Sequence, residues 1–135
     1  MNITLSKAVG RVPVTIVRVE GQLDGQSYLT LIEKAKELYL AGARDFLLDL
    51  EDLTYISSAG LVALHSIALL TRGEQLPDTE AGWSAYRSMK SSMASVQEHI
   101  KLLNPRPEIK SVLEMVGFNR VFALFTDMDE AVKSF

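Results

Sequence analysis

The chain has 135 residues, 47% of them hydrophobic and 23% charged, and a formal net charge of -3; that is enough for one domain with a proper core and too short for two ordinary ones. The composition is that of a soluble globular protein, and its mild acidity lacks the concentrated basic patch of a nucleic-acid binder. No cysteine means no disulfide framework and no thiolate zinc site, while the absence of a signal-like N-terminus or a run of about 20 apolar residues predicts a cytoplasmic chain without membrane insertion.

Met1–Ala8 alternates weakly through Ile3 and Leu5 and is expected as an edge strand, with Gly10-Arg11 as the turn that follows. In Val12–Glu20, the residues Val12, Val14 and Ile16 with their β-branched neighbours predict a strand buried on much of both faces. Gly21-Gln22-Leu23-Asp24-Gly25 breaks that pattern. A helix over Gln26–Leu40 follows from Leu29, Ile32, Ala35, Lys36, Leu38 and Tyr39 at three- and four-residue spacing, with Gly42 as its stop. Phe46–Leu50 is nearly all apolar, as central parallel strands are.

A second helix is predicted from Ser58 to about Arg72, carrying Leu61, Leu64, Ile67, Ala68 and Leu70 inward and Val62, His65 and Leu69 more to its other side. Gly73–Gly82 is polar and broken by Pro77; beyond it Trp83, Tyr86, Met89, Met93 and Val96 recur at helical steps. His99–Leu103 reads as a short strand. Pro107 suits the first turn of a helix running to about Val116 and stopped by Gly117. Val121–Phe125 is a final strand, and Thr126 or Asp127 caps a last helix. Alternating strands and helices predict an α/β fold with a mostly parallel sheet of about five strands.

The chemistry-bearing stretch is Asp49-Leu50-Glu51-Asp52-Leu53-Thr54-Tyr55-Ile56-Ser57-Ser58-Ala59-Gly60-Leu61, which runs from the end of a strand into a helix. Two adjacent hydroxyls stand where a helix begins, an end that lacks internal hydrogen-bond partners and is partly positive. Either serine can cap the helix. A phosphoserine there would also be tolerated by the fold, while its charge of about -1.5 to -2 would disturb a docked partner. A nucleophilic serine needs a base in reach, and His65 is seven residues on, about 10 Å along a helix axis; a hydrolase is therefore the distant alternative. Gly21–Ser27 has no lysine in the Walker position. The acidic groups Asp49, Glu51, Asp52 and Asp127, Asp129, Glu130 read as strand-end and cap chemistry, so no metal, cofactor or catalytic residue is expected.

Asp49-Leu50 with Tyr55-Ile56-Ser57-Ser58-Ala59-Gly60-Leu61 resembles the signature of STAS domains, the family of bacterial anti-sigma factor antagonists. Gly21-Gln22-Leu23-Asp24 is similar to the family's turn before its first helix, and Pro107–Phe122 to its closing helix. The resemblance implies a single STAS-like domain over residues 1–135, with a mixed sheet, helices mainly on one face, and a helical insert at about 73–97. It implies an anti-sigma factor antagonist that binds an anti-sigma factor serine kinase and frees the sigma factor, phosphorylated by that kinase at Ser58 and restored by a phosphatase. Asp24, Ser57, Ser58, Ala59, Gly60, Leu61 and Val62 would form the partner-binding surface of a monomer or weak homodimer. Many members carry an acidic residue where this chain has Ser57. The insert favours the alternative of a scaffold STAS subunit in a stressosome-like sensory complex or a transporter-associated one.

Overall fold

The computed structural model describes residues 1–73 and 96–135. The element order is β1 (Asn2–Val9), β2 (Pro13–Leu23), α1 (Tyr28–Leu40), β3 (Phe46–Asp49), β4 (Leu53–Ile56), α2 (Ser58–Thr71), β5 (Ile100–Leu103), α3 (Pro107–Met115), β6 (Leu124–Phe125) and α4 (Met128–Lys133). A 3-10 turn, Phe118–Arg120, separates α3 from β6. Among the described residues the sheet has six strands in the order β1-β2-β3-β5-β6, with β4 paired to the far end of β2. β1 runs antiparallel to β2, and every other pairing is parallel. This is the mixed, mostly parallel α/β sheet expected, with one strand more.

That extra strand is the main departure from expectation. The glycine at position 21 does not end β2; it bends it. Gly21 sits at φ +95°, open to glycine and strained for other residues, and the register with β4 slips between Gly21 and Gln22, leaving Thr54 as the extra residue of a bulge. The backbone N–H of Gly21 donates to the Asp52 carbonyl at 3.0 Å, and the Thr54 hydroxyl donates to the Gly21 carbonyl at 3.0 Å. β2 thus pairs β3 along its first half and β4 along its last residues.

Alternation along the strands divides the interior in two. Val17, Val19, Phe46, Leu48, Ile100 and Leu102 face α1, α2 and α3 in one large cluster. Val14, Ile16, Leu47 and Leu103 face the other way, against Ala131 and Val132 of α4. Among the described residues, three helices therefore cover one face and a single short helix the other. Each fully buried Leu or Phe contributes about 1.5–3 kcal/mol relative to exposure, so the larger cluster dominates stability.

Helix α1 buries Leu31, Ile32 and Ala35, so its stripe is rotated from the one expected and Leu29 is exposed. Helix α2 is buried nearly all round: Val62, His65 and Leu69 are as hidden as Leu61 and Leu64, and Leu70 is only half-buried. An apolar helix without a polar face reads this way. β6 is shorter than Val121–Phe125 because Phe118–Val121 turns instead, burying Phe118 and Phe122 edge to face at 5.3 Å. The helix expected around Trp83, Tyr86, Met89 and Met93 lies outside the described residues; Val96 lies within them and is exposed. Among the described residues, no helix is long and apolar enough to cross a membrane.

Candidate functional site

The parallel strands β2 and β4 end side by side, with Leu23 opposite Ile56. Each then turns into a helix, β2 through Asp24–Ser27 into α1 and β4 through Ser57 into α2. The two turns are stitched together where the backbone N–H of Ser57 donates to the Leu23 carbonyl at 3.0 Å. Asp24 and Ser58, each one residue beyond that bond, consequently share one crest at the carboxyl ends of the strands, where open α/β sheets present their binding groups.

The two serines have separate work. Ser57 is the N-cap of α2, extended at φ -98° and ψ 178°, and its hydroxyl oxygen accepts from the Gly60 N–H at 3.4 Å. Its carbonyl accepts the first helical bond, from the Leu61 N–H at 3.0 Å. Ser58 is the first helical residue; it is exposed, and its hydroxyl bonds to none of the described residues. The cap is taken by its neighbour, so the Ser58 hydroxyl is available to solvent.

Asp24 is half-buried and does not cap α1. The cap position belongs to Ser27, whose side chain makes no cap bond to the helix. Instead Asp24 Oδ1 accepts from the Gln26 N–H at 3.0 Å, and Ser27 Oγ accepts from the Asp24 N–H at 3.0 Å while donating to the Gln22 carbonyl at 2.8 Å. The carboxylate shapes the turn through Oδ1.

Of the remaining residues expected on a partner-facing surface, Ala59 is half-buried, but Gly60, Leu61 and Val62 are buried, with Leu61 at 3% and Val62 at 7% exposure. They support the corner from beneath, because successive residues of a helix start point to different sides and only one side meets solvent. Tyr55, not singled out from the sequence, is half exposed beside Gln22 on the same crest; its exposure follows from the β2–β4 pairing and bulge, which no local pattern showed.

Gly60 explains how closely α2 approaches the sheet. A Cβ there would lie 2.6 Å from Ile56 Cγ1 and 2.7 Å from the Leu23 carbonyl oxygen. Only a hydrogen fits.

The acidic run before the corner is structural. Arg18 pairs with Asp52, lies 3.3 Å from Glu20 and 3.9 Å from Asp49. Arg106 Nε donates to the Glu51 carbonyl at 2.9 Å, and Asp49 Oδ1 accepts from the Glu51 N–H at 3.1 Å. Asp52's hydrogen bond and charge raise the Arg18 pKa above its ordinary value. Two guanidinium groups thus tie down the Asp49 and Asp52 carboxylates and the Glu51 backbone, and no group of three candidate metal ligands forms among the described residues. Neither histidine offers Ser58 a base. His65 is buried two turns into α2, and His99 precedes β5 at the opposite end of the parallel strands, paired with Asp45 at 2.8 Å.

A family model described as STAS domain matches residues 6–75. Among solved structures, an anti-sigma factor antagonist from Mycobacterium paratuberculosis is similar at a TM-score of 0.64 and 16% identity, covering 98% of this chain and 93% of that one. The anti-sigma factor antagonist SpoIIAA in its unphosphorylated form aligns at 0.60 and 20% identity, over 97% and 93% of the two chains. The Bacillus cell fate determinant SpoIIAA in the phosphorylated form aligns at 0.55 and 17%, over 97% and 96%. No curated protein matches the sequence.

Proposed function

The chain belongs to the STAS domain family, and from that premise we propose that it is an anti-sigma factor antagonist acting in the cytoplasm, switched by phosphorylation at Ser58. Unmodified, it binds an anti-sigma factor serine kinase and so releases the sigma factor; phosphorylated by that kinase, it lets go, and a phosphatase resets it. It acts by binding, with no catalytic step and no cofactor of its own. The observation that carries this reading is the exposed Ser58 hydroxyl at the first position of α2, with the neighbouring Ser57 already occupied as the cap.

The physical logic is local. A phosphate on Ser58 stands at a helix N-terminus, where the dipole favours negative charge, so the fold keeps its shape. A partner seated on the crest formed by Asp24, Ser57, Ser58 and Ala59 meets a new charge beside Asp24 and loses affinity. Conformation need not change for the switch to work.

Intact mass after incubation with ATP and candidate anti-sigma serine kinases tests the reading. One added phosphate, abolished in Ser58→Ala, is the expected outcome. Ser58→Asp should keep the fold by circular dichroism and weaken kinase binding by about 1–3 kcal/mol, the range for an unpaired polar or charged group in an interface. No mass gain together with co-purification in a large sensory or transporter assembly would instead favour a scaffold subunit of the same fold. Ester turnover lost in Ser58→Ala would favour a hydrolase.

A further inference from the structure

The sheet's two ends are finished differently. β6 is two residues long and offers little unpaired backbone. β1 spans eight residues, pairs among the described residues only with β2, and holds an unbroken register from Asn2 to Val9. Open edges are ordinarily blunted by shortness, proline, a bulge or several charges. β1 has no proline and no bulge, and Lys7 is its single charge. Ile3 and Leu5 stand opposite Val19 and Val17, which face the larger core, so Ile3, Leu5, Lys7 and Val9 share the sheet face that carries α1, α2 and α3. Leu5 is 42% exposed and Val9 80%. An apolar stripe therefore runs beside an unpaired row of backbone donors and acceptors.

We propose that β1 is an interface for a second copy of this chain, the two β1 strands pairing antiparallel about a twofold axis at Leu5 so that two sheets become one. A twofold contact uses the same patch on both copies, which a single strand edge satisfies. Side-chain parity and charge select the register. Directly opposite residues of an antiparallel pair share a face, so the stripes meet only when odd positions oppose odd positions. Centring on Leu5 sets Leu5 against Leu5, Ile3 against Lys7 and Thr4 against Ser6, and engages Asn2 through Ala8 of both strands. The two Lys7 groups are then offset by four residues, about 13 Å along the strand, farther than charges interact at physiological salt, about 8 Å. Centring on Lys7 would oppose like charges, which is destabilising. Centring on Ile3 would engage only Asn2 through Thr4 of the strand. This interface rests on the sheet edge and is independent of the Ser58 corner.

The native chain has no cysteine, so one introduced thiol reports intermolecular contact alone. Residues directly opposite in antiparallel strands have Cα atoms about 4.5–5.5 Å apart, within the roughly 4.4–6.8 Å that a disulfide spans. Leu5→Cys should therefore form a covalent dimer under mild oxidation about tenfold faster than Val9→Cys, although Val9 is the more exposed and collisions alone would favour it. Leu5→Glu, which sets two carboxylates against each other at a half-exposed position, should remain folded by circular dichroism and sediment as a monomer at concentrations where the unsubstituted chain sediments partly as a dimer. Equal oxidation rates for the two thiols, or a monomeric unsubstituted chain at every concentration, would overturn the proposal.

Discussion

Position 60 shows how one residue sets the geometry of the corner. Alanine is the better helix former, by about 0.5–1 kcal/mol over glycine, so propensity alone favours Gly60→Ala. The space opposes it: the added methyl would press on the Leu23 carbonyl and on Ile56, and overpacking of this kind costs about 1–3 kcal/mol. Packing wins, because a backbone carbonyl that is itself bonded to Ser57 cannot swing aside. Gly60→Ala should lower the urea midpoint of unfolding with an unchanged slope; a variant as stable as the native chain would show that α2 does not rest on the Leu23 turn. The division of labour between Ser57 and Ser58 was not legible in the sequence, since both are good cap residues and only the extended backbone at Ser57 decides between them.

At the scale of elements, the cap and the strand alongside it act together. Ser57 is held by β2, through its N–H bond to the Leu23 carbonyl, and holds α2 through its side-chain oxygen. Ser57→Ala should cost about 0.5–1 kcal/mol by chemical denaturation, at the low end for a lost N-cap because the bond to Gly60 is long, whereas Ser58→Ala, with no cap bond to lose, should unfold with the native midpoint. Equal losses at the two positions would reverse the assignment. β4 itself escaped the sequence reading. Leu53 and Ile56 are buried while Thr54 and Tyr55 are exposed, a bulged strand's pattern rather than an alternating one, and Glu51-Asp52 in front of it looks like loop. The turn at Gly21 hid the end of β2 for the same reason: a glycine that bends a strand and a glycine that ends one are spelled alike. By contrast α3 ran as expected, from Pro107 to a left-handed Gly117 at φ +82°, because its boundaries are local conformational facts.

At the scale of the molecule, the two faces of the sheet are unequally supported by the described residues. α1, α2 and α3 share the large cluster, while α4, six residues long, contributes Ala131 and Val132 to the smaller one. Its other anchors are Asp127, whose carboxylate accepts from the N–H groups of Asp129 and Glu130, and Lys101, whose ammonium donates to the Ser134 carbonyl at 2.8 Å and faces the Phe135 ring. So short a helix is not stable by itself. Hydrogen exchange should show α4 amides opening locally and early, while β3, buried on both faces, exchanges only with global unfolding. Uniform protection across both elements would mean that α4 is part of the same cooperative unit.

The strand–helix alternation, the N- and C-terminal stops of α1 and α3, and the serine-bearing turn into α2 were all contained in local spacing and residue type, because periodicity and capping are properties of neighbouring residues. The tertiary structure alone decided that β4 pairs with the bent end of β2, that His99 lies at the opposite end of the parallel strands from Ser58, that Arg18 and Arg106 occupy the acidic run, and that Leu61 and Val62 lie beneath the crest rather than on it. Each of these depends on residues far apart in the chain coming together, and no local pattern carries that information.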